Sequence, residues 1–189
     1  MSKVRWGIIG TGSIANAFAH SIKHCNHSEL IAVFGRNKET LQTFSQKFDV
    51  AGINDIDELV ASNGIDAIYI ATPHSSHFEY ALQAIKNNKH VLCEKPIAMN
   101  HIESMVLFGL AKDCGVFLME AYMYRTHPQT FNILKNIESL CCTNEKVEIN
   151  ASFGFHAEIP KDHRLRNPML GGGAIMDVGC YPLSMSKLL

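Results

Sequence analysis

The fold of this chain is decided by residues 4–15, which read VRWGIIGTGSIA. The apolar run Val4–Ile9 predicts a buried strand, and the residues that follow it have the apolar repeat of a helix. Gly10, Gly12 and Ala15 lie between the two elements at the spacing of a G-x-G-x-x-G/A turn. The segment therefore predicts the first strand, turn and helix of a Rossmann domain.

The residue types in this turn point to a bound dinucleotide. Gly10 permits the tight turn and Gly12 lets the backbone approach a pyrophosphate, while the helix that follows presents free N–H groups and a positive dipole end. We expect the cofactor to be contacted by Gly10, Thr11, Gly12, Ser13 and Ile14. The alternative is a glycine turn that binds nothing.

The end of the second predicted strand indicates which dinucleotide is preferred. A site that prefers NAD usually has a carboxylate about 20 residues after the glycines, whereas this chain has Gly35, Arg36 and Asn37 there. A guanidinium can bind a 2′-phosphate that a carboxylate would repel. The sequence favours NADP over NAD, although Arg36 could also be a solvated loop charge.

Short apolar runs alternate with amphipathic stretches over the first two-thirds of the chain. This alternation is typical of βαβ units, so residues 1–121 are predicted to form an NAD(P)-binding Rossmann domain with a doubly wound parallel sheet. The predicted fold class of this first domain is α/β. An incomplete second domain of the α+β class is predicted to follow it over residues 122–189.

The pattern of the second region differs from that of the first. Pro128 is expected to open a helix that ends near Leu140, and Lys146–Phe155 alternates like a strand of an antiparallel sheet. Gly171, Gly172 and Gly173 then lead into an apolar helix that continues to the last residue.

Composition narrows the functional classes. The chain has 189 residues with 47% hydrophobic and 19% charged side chains and a net charge of −1, which argues against nucleic acid or a membrane as partner. Six cysteines are dispersed without a CxxC pair, as expected for a reducing cytoplasm and for the absence of a metal site. The sequence favours a solvated helix end over a metal site for the three histidines His20, His24 and His27.

A second motif, Glu94-Lys95-Pro96, follows the predicted strand His90–Cys93. The carboxyl ends of parallel strands are where such sheets bind ligands. Lys95 is therefore either a surface charge or a contact to substrate and cofactor, and its position alone does not decide between these roles.

Five segments together resemble the Gfo/Idh/MocA oxidoreductase family, in order and at family spacing. They are GTGSIA at 10–15, ATPHSSH at 71–77, CEKP at 93–96, EAYMYRTHPQ at 120–129 and GGGAIMDVGCYP at 171–182. Within the family, the chain is most similar to the branch of dimeric dihydrodiol dehydrogenases and NADP-dependent D-xylose dehydrogenases.

The resemblance implies roles for three catalytic candidates. Lys95 matches the lysine that lies beside the nicotinamide and the substrate hydroxyl, and its bond to Pro96 is often cis in relatives. Asp177 matches an acidic residue that faces the substrate, and Tyr181 matches the tyrosine that this branch has as its acid/base. Further cofactor contacts are expected from residues that follow strand ends, namely Thr72, Pro73, His77, Glu94 and Lys95.

Arg125 and His127 are weaker candidates for lining the site, as is His77. Helix capping or a polar contact at the domain junction would explain each of them equally well.

The resemblance implies an NADP-dependent dehydrogenase that moves a hydride between nicotinamide and a hydroxyl carbon of a sugar, polyol or cyclic diol. Family members are longer, so the second domain is expected to be truncated, to expose apolar surface, and to be covered in a homo-oligomer. The alternatives are a dinucleotide-binding sensor or regulatory module without turnover, and an inert remnant.

Overall fold

A computed structural model describes residues 2–140 and 148–189 of the chain. It separates into two compact units, Met1–Glu120 and Ala121–Leu189. Within the described ranges, no helix is both long enough and apolar enough to cross a lipid bilayer.

The first unit is built on a sheet of six strands in the order β3-β2-β1-β4-β5-β6, and every pair of neighbours is parallel. Its strands are β1 Val4–Ile9, β2 Ser28–Phe34, β3 Ala51–Ile53, β4 Ala67–Ile70, β5 His90–Cys93 and β6 Leu118–Glu120. The order reverses between β1 and β4, which makes the carboxyl ends of these two strands the topological switch point. The predicted doubly wound Rossmann sheet is confirmed.

Five helices connect these strands: α1 Ser13–Lys23, α2 Lys38–Phe48, α3 Ile56–Ala61, α4 His77–Lys86 and α5 His101–Asp113. Asn37 caps α2 by accepting the Thr40 N–H at 3.0 Å, and Asn100 caps α5 by accepting the Glu103 N–H at 3.0 Å. These side chains fix where the chain leaves each loop and becomes helical.

The core of the first unit lies between the sheet and its helices. Ile68 and Ile70 of β4 and Leu107 of α5 are fully buried, and they belong to one apolar cluster that includes α3 and α4. Strands that are covered on both faces read as continuous apolar runs, which is why β1 and β4 are recognisable from sequence.

The second unit contains α6 Pro128–Leu140, a π-helical turn at Ile175–Gly179 and α7 Cys180–Leu188. The predicted strand at 146–155 is wrong for residues 148–155, which adopt no regular structure; residues 146 and 147 lie outside the described ranges. A strand satisfies its backbone through a neighbouring strand, and no described segment of residues 121–189 supplies one. The alternation of apolar and polar residues was therefore not enough to predict a strand.

Candidate functional site: a dinucleotide cleft

The glycine turn joins β1 to α1 at the switch point of the sheet. Gly10 has φ of +113°, and a side chain there would place its Cβ 2.5 Å from the Ala71 carbonyl oxygen. Gly12 is different, because its Cβ would meet nothing within 4 Å. The space above Gly12 is thus open at the N-terminus of α1, where N–H groups without helical partners can bind an anion.

Two polar side chains hold this turn in place. The Asn16 amide donates to the carbonyl oxygens of Thr11 at 3.2 Å and Gly12 at 3.0 Å. The hydroxyls of Thr11 and Thr40 lie 3.0 Å apart and join the turn to α2. The geometry of the turn is therefore held by Asn16 and Thr40, two side chains that the motif itself does not contain.

A cleft of about 310 Å³ opens beside the turn. The lining residues come from the end of β2, from the loops after β1, β2 and β4, and from two helices; they are Gly10, Thr11, Gly12, Phe34, Gly35, Arg36, Asn37, Thr40, Ala71, Thr72, Pro73 and Tyr80. Six predicted cofactor residues are among them: Gly10, Thr11, Gly12, Arg36, Thr72 and Pro73. Ser13 and Ile14 lie in the exposed first turn of α1, outside this lining.

The end of β2 forms one wall of the cleft. Gly35 is buried, and a Cβ there would lie 2.9 Å from Cγ2 of Thr11, so this position favours a residue without a side chain. Arg36 follows and is exposed at the mouth of the cleft. This arrangement leaves the guanidinium free to approach a ligand in the cleft while no carboxylate stands at Gly35.

The Glu94-Lys95-Pro96 loop follows β5, and its Lys95–Pro96 peptide bond is cis, as the family resemblance implies. The Tyr69 hydroxyl donates to Glu94 Oε1 at 2.6 Å, and the Ile97 N–H donates to Glu120 Oε1 at 2.9 Å. These two carboxylates anchor the loop to the neighbouring strands. Burial raises the pKa of the Cys93 thiol well above its ordinary value, and the charges of Glu94 and Glu120 raise it further.

His77 begins α4 and is fully buried. Its Nδ1 lies 2.7 Å from the Pro96 carbonyl oxygen and its Nε2 lies 2.8 Å from the Thr72 carbonyl oxygen. Both ring nitrogens therefore contact the main chain of the two loops, so a contribution of His77 to cofactor binding would be indirect.

Tyr181 lies in the first turn of α7, within the second unit, among aromatic side chains. Its ring is edge-on to Tyr122 at 5.4 Å and to Phe153 at 5.2 Å between centroids. The Tyr124 hydroxyl and Ser184 Oγ are 2.6 Å apart, which ties the start of this unit to α7. The ring of Tyr181 is thereby held by packing on several sides.

Asp177 lies in the π-helical turn before α7 and lines a cleft of about 300 Å³ within the second unit. Three glycines, residues 171–173, precede this turn. A Cβ on Gly172 would lie 2.7 to 2.8 Å from the carbonyl oxygens of Arg164, Asn167 and Leu165. The middle glycine is thus required by close backbone packing.

The remaining candidates have local contacts. His127 Nδ1 accepts the Gln129 N–H at 3.1 Å, at the start of α6, which is the capping role considered from the sequence. Arg125 lies in the exposed turn Met123–Thr126.

Residues 4–122 match the oxidoreductase family with an NAD-binding Rossmann fold, designated Gfo/Idh/MocA. The chain belongs to the Gfo/Idh/MocA oxidoreductase family. It is 34% identical to the NADP(+) D-xylose 1-dehydrogenase of Hypocrea jecorina, covering 96% of this chain and 51% of that protein. It is also 34% identical to the trans-1,2-dihydrobenzene-1,2-diol dehydrogenase of Xenopus tropicalis, covering 94% of this chain and 54% of that protein.

Among solved structures, KijD10 is similar over nearly the whole chain. KijD10 is a 3-ketoreductase from Actinomadura kijaniata, and in its complex with NADP and TDP-benzene it matches with a TM-score of 0.87 and 28% identity. The match covers 99% of this chain and 57% of that one. This Gfo/Idh/MocA chain spans about half the length of the curated relatives it matches.

Sequence reasoning missed several residues of this Gfo/Idh/MocA cleft. Asn37, Thr40 and Tyr80 line it, and Asn16 supports the turn. Asn37 caps α2 and also lines the cleft, and its position directly after the predicted cofactor contact Arg36 is a signal that could have identified it. Tyr80 had no signal of this kind, because the sheet order alone brings α4 beside the end of β2.

Proposed function

We propose that this chain supplies the cofactor cleft and part of the substrate domain of an NADP-dependent oxidoreductase that acts on a sugar, polyol or cyclic diol. The observation that carries the proposal is the open space at Gly12 beside Arg36, within a cleft at the switch point of the sheet. That shape fits a pyrophosphate at the N-terminus of α1 and a ribose phosphate near β2.

NADP is the preferred cofactor in this proposal. Arg36 provides a cation at the mouth of the cleft, and the side chains of Asn37 and Thr40 add polar groups beside it. Gly35 occupies the position at which an NAD-preferring site has a carboxylate, and a Cβ there would lie 2.9 Å from Cγ2 of Thr11. The relatives named for NADP support the same preference.

The proposed chemistry is alcohol oxidation or the reverse reduction, for which a bound nicotinamide supplies the hydride acceptor or donor. Tyr181 would take the hydroxyl proton, Lys95 would bind the substrate oxygen beside the nicotinamide, and Asp177 would orient the substrate. Tyrosine has an ordinary pKa near 10, so a base of this type needs a nearby cation to work at neutral pH.

The test has two stages in the same preparation. NADPH fluorescence is titrated with the chain, and absorbance of the nicotinamide is then followed with a panel of aldoses and diols. We expect Lys95→Ala and Tyr181→Phe to lower kcat/KM by about 100-fold or more, the range of acid–base catalysis. Lys112→Ala, at an exposed position of α5, is the matched control. Unchanged turnover in both site variants would refute the assigned roles.

A second candidate is a dinucleotide-binding module without turnover, which acts as a sensor or regulatory partner. It is favoured by one observation: every lining residue of the dinucleotide cleft belongs to the first unit. NADPH binding with no conversion of any aldose or diol would support this candidate over the enzyme. A failure to bind NADPH would contradict both.

The proposal also covers the domain division, the oligomeric state and the location of the protein. Residues 1–121 are the cofactor domain and residues 122–189 begin the substrate and dimerisation domain, whose exposed Phe153, Phe155 and Leu183 a second copy would cover. The dispersed cysteines support a cytoplasmic location. Size-exclusion chromatography with light scattering tests the homo-oligomer.

A further inference from the structure

His77 connects two loops that are distant in sequence. Its Nε2 contacts the Thr72 carbonyl oxygen after β4, and its Nδ1 contacts the Pro96 carbonyl oxygen after β5. The side chain is fully buried, so these contacts are made away from bulk solvent.

The main-chain groups of Thr72 and Pro96 that contact the ring are both hydrogen-bond acceptors. A carbonyl oxygen has no proton to give, and a neutral imidazole carries only one N–H. The ring nitrogens lie 2.7 and 2.8 Å from the two carbonyl oxygens. A ring nitrogen without a proton at such a distance would direct its lone pair at a lone pair of the oxygen, which is repulsive. The alternative ring orientation would put C–H groups at these oxygens, and C–H···O contacts are normally about 3.3 to 3.6 Å long. Two N–H donors explain both distances.

Charged side chains lie on the loops and strand ends near His77. Neighbouring elements bring six titratable side chains to this end of the sheet: His74, Cys93, Glu94, Lys95, Glu103 and Glu120. Three of them are carboxylates and one is an ammonium, so the balance is negative before any histidine is charged. The carboxylates of Glu94 and Glu120 act on the buried Cys93 thiol, which places their field at the end of β5.

We infer that His77 is a doubly protonated positioning residue that ties the Thr72-Pro73 turn to the Lys95-Pro96 loop. Thr72 and Pro73 line the dinucleotide cleft, and Lys95 is adjacent to the tied carbonyl. The imidazolium therefore sets the spacing between the cofactor wall and the lysine. The consequence for cofactor binding rests on the proposed function, whereas the protonation state does not.

Nitrogen-15 NMR of the full chain tests directly whether both His77 ring nitrogens are protonated. Long-range correlations within the assigned His77 ring report whether each nitrogen carries a proton. We expect both nitrogens to have the shift of protonated nitrogen at pH 7.5, about one pH unit above the ordinary histidine pKa of about 6.5. One unprotonated ring nitrogen at this pH would overturn the inference.

The positioning role is tested by the pH profile of NADPH affinity between pH 7.5 and 9.5. Wild-type affinity should fall through the same pH at which the His77 ring loses its proton. His77→Gln should bind about tenfold more weakly at pH 7.5, as for the loss of one charge-assisted hydrogen bond, and should lack that titration. His24→Gln, at an exposed histidine, is the matched control.

Equal affinities of wild type and His77→Gln at every pH would overturn the positioning role. If the wild-type chain bound no NADPH, the proposed function would fail instead, and the ring-nitrogen shifts would still decide whether the tie exists.

Discussion

The glycine turn after β1 and the glycine segment before α7 differ in what surrounds the missing side chain. At Gly12, a Cβ would meet nothing within 4 Å. At Gly172, it would meet three backbone carbonyl oxygens within 2.8 Å. One glycine leaves room for a ligand, and the other leaves room for the chain itself.

This difference separates two reasons for using the same residue. Substitution of a glycine that faces the open cleft should spare the fold and remove binding, whereas substitution of a glycine that faces backbone should damage the fold first. The two segments can therefore be distinguished by which property changes when each gains one methyl group.

The largest effect is expected for Gly172→Ala. Because backbone carbonyls cannot move aside as a side-chain end can, we expect a loss of about 3 kcal/mol in the free energy of unfolding. Urea denaturation followed by near-ultraviolet circular dichroism measures it. Gly154→Ala is the control, since a Cβ there would meet nothing within 4 Å. Equal stability of the two variants would remove the contrast between the glycine segments.

Gly12→Ala should have the opposite signature. Its φ of −72° is open to any residue, so stability should change by no more than about 0.5 kcal/mol. NADPH affinity should fall about 100-fold, because the methyl group occupies the space of the pyrophosphate. Gly109→Ala on α5, also in open space, should leave the affinity unchanged. Wild-type affinity in Gly12→Ala would place the cofactor elsewhere.

Local patterns predicted much of the first unit from sequence. The strand, turn and helix at 4–23 are neighbours in the chain, so one window contains all the information that defines them. Strand β3 was missed because it has only three residues and lies at the edge of the sheet. The strand at 146–155 was wrong for the opposite reason, because an alternating pattern says nothing about whether a partner strand exists.

The site was predictable only where a motif names its own residues. Gly10, Gly12 and Arg36 follow from spacing along the chain. The contact between His77 and Pro96 joins residues 19 apart and uses a main-chain oxygen, which every residue has. Thr11 and Thr40 are likewise 29 residues apart and are brought together by the parallel arrangement of β1 and β2. Such contacts require the topology before the residue types become informative.

Arg36→Gln sharpens the ligand side of the comparison. Removing the guanidinium should weaken NADPH binding about tenfold, since a charge-assisted contact to the 2′-phosphate is lost, and should leave NADH affinity unchanged. Parallel fluorescence titrations with the two cofactors measure the difference. An equal loss for both cofactors would mean that Arg36 acts on the turn and not on the 2′-phosphate.

The smallest expected effect is a change in thermal stability at Asp66, a residue of the first unit. Its carboxylate accepts the Arg5 backbone N–H at 2.9 Å and also pairs with the Arg5 guanidinium at 2.6 Å. These hydrogen bonds lower the pKa of Asp66 from 3.8 to about 2. The resulting stabilisation is fully present above pH 3.8 and is lost as the pH falls through 2.

Asp66→Asn should therefore lower Tm by about 3 °C at pH 7, a modest change because the pair is partly exposed and screened by solvent. The difference from wild type should shrink below pH 3.8 and vanish below pH 2, as measured by thermal denaturation at matched ionic strength. Asp162→Asn, at an exposed position of the second unit, is the control that should leave Tm unchanged. An undiminished difference below pH 2 would mean that the amide disturbs packing around β1 and not the ion pair, and Asp66 would then no longer report on charge in the first unit.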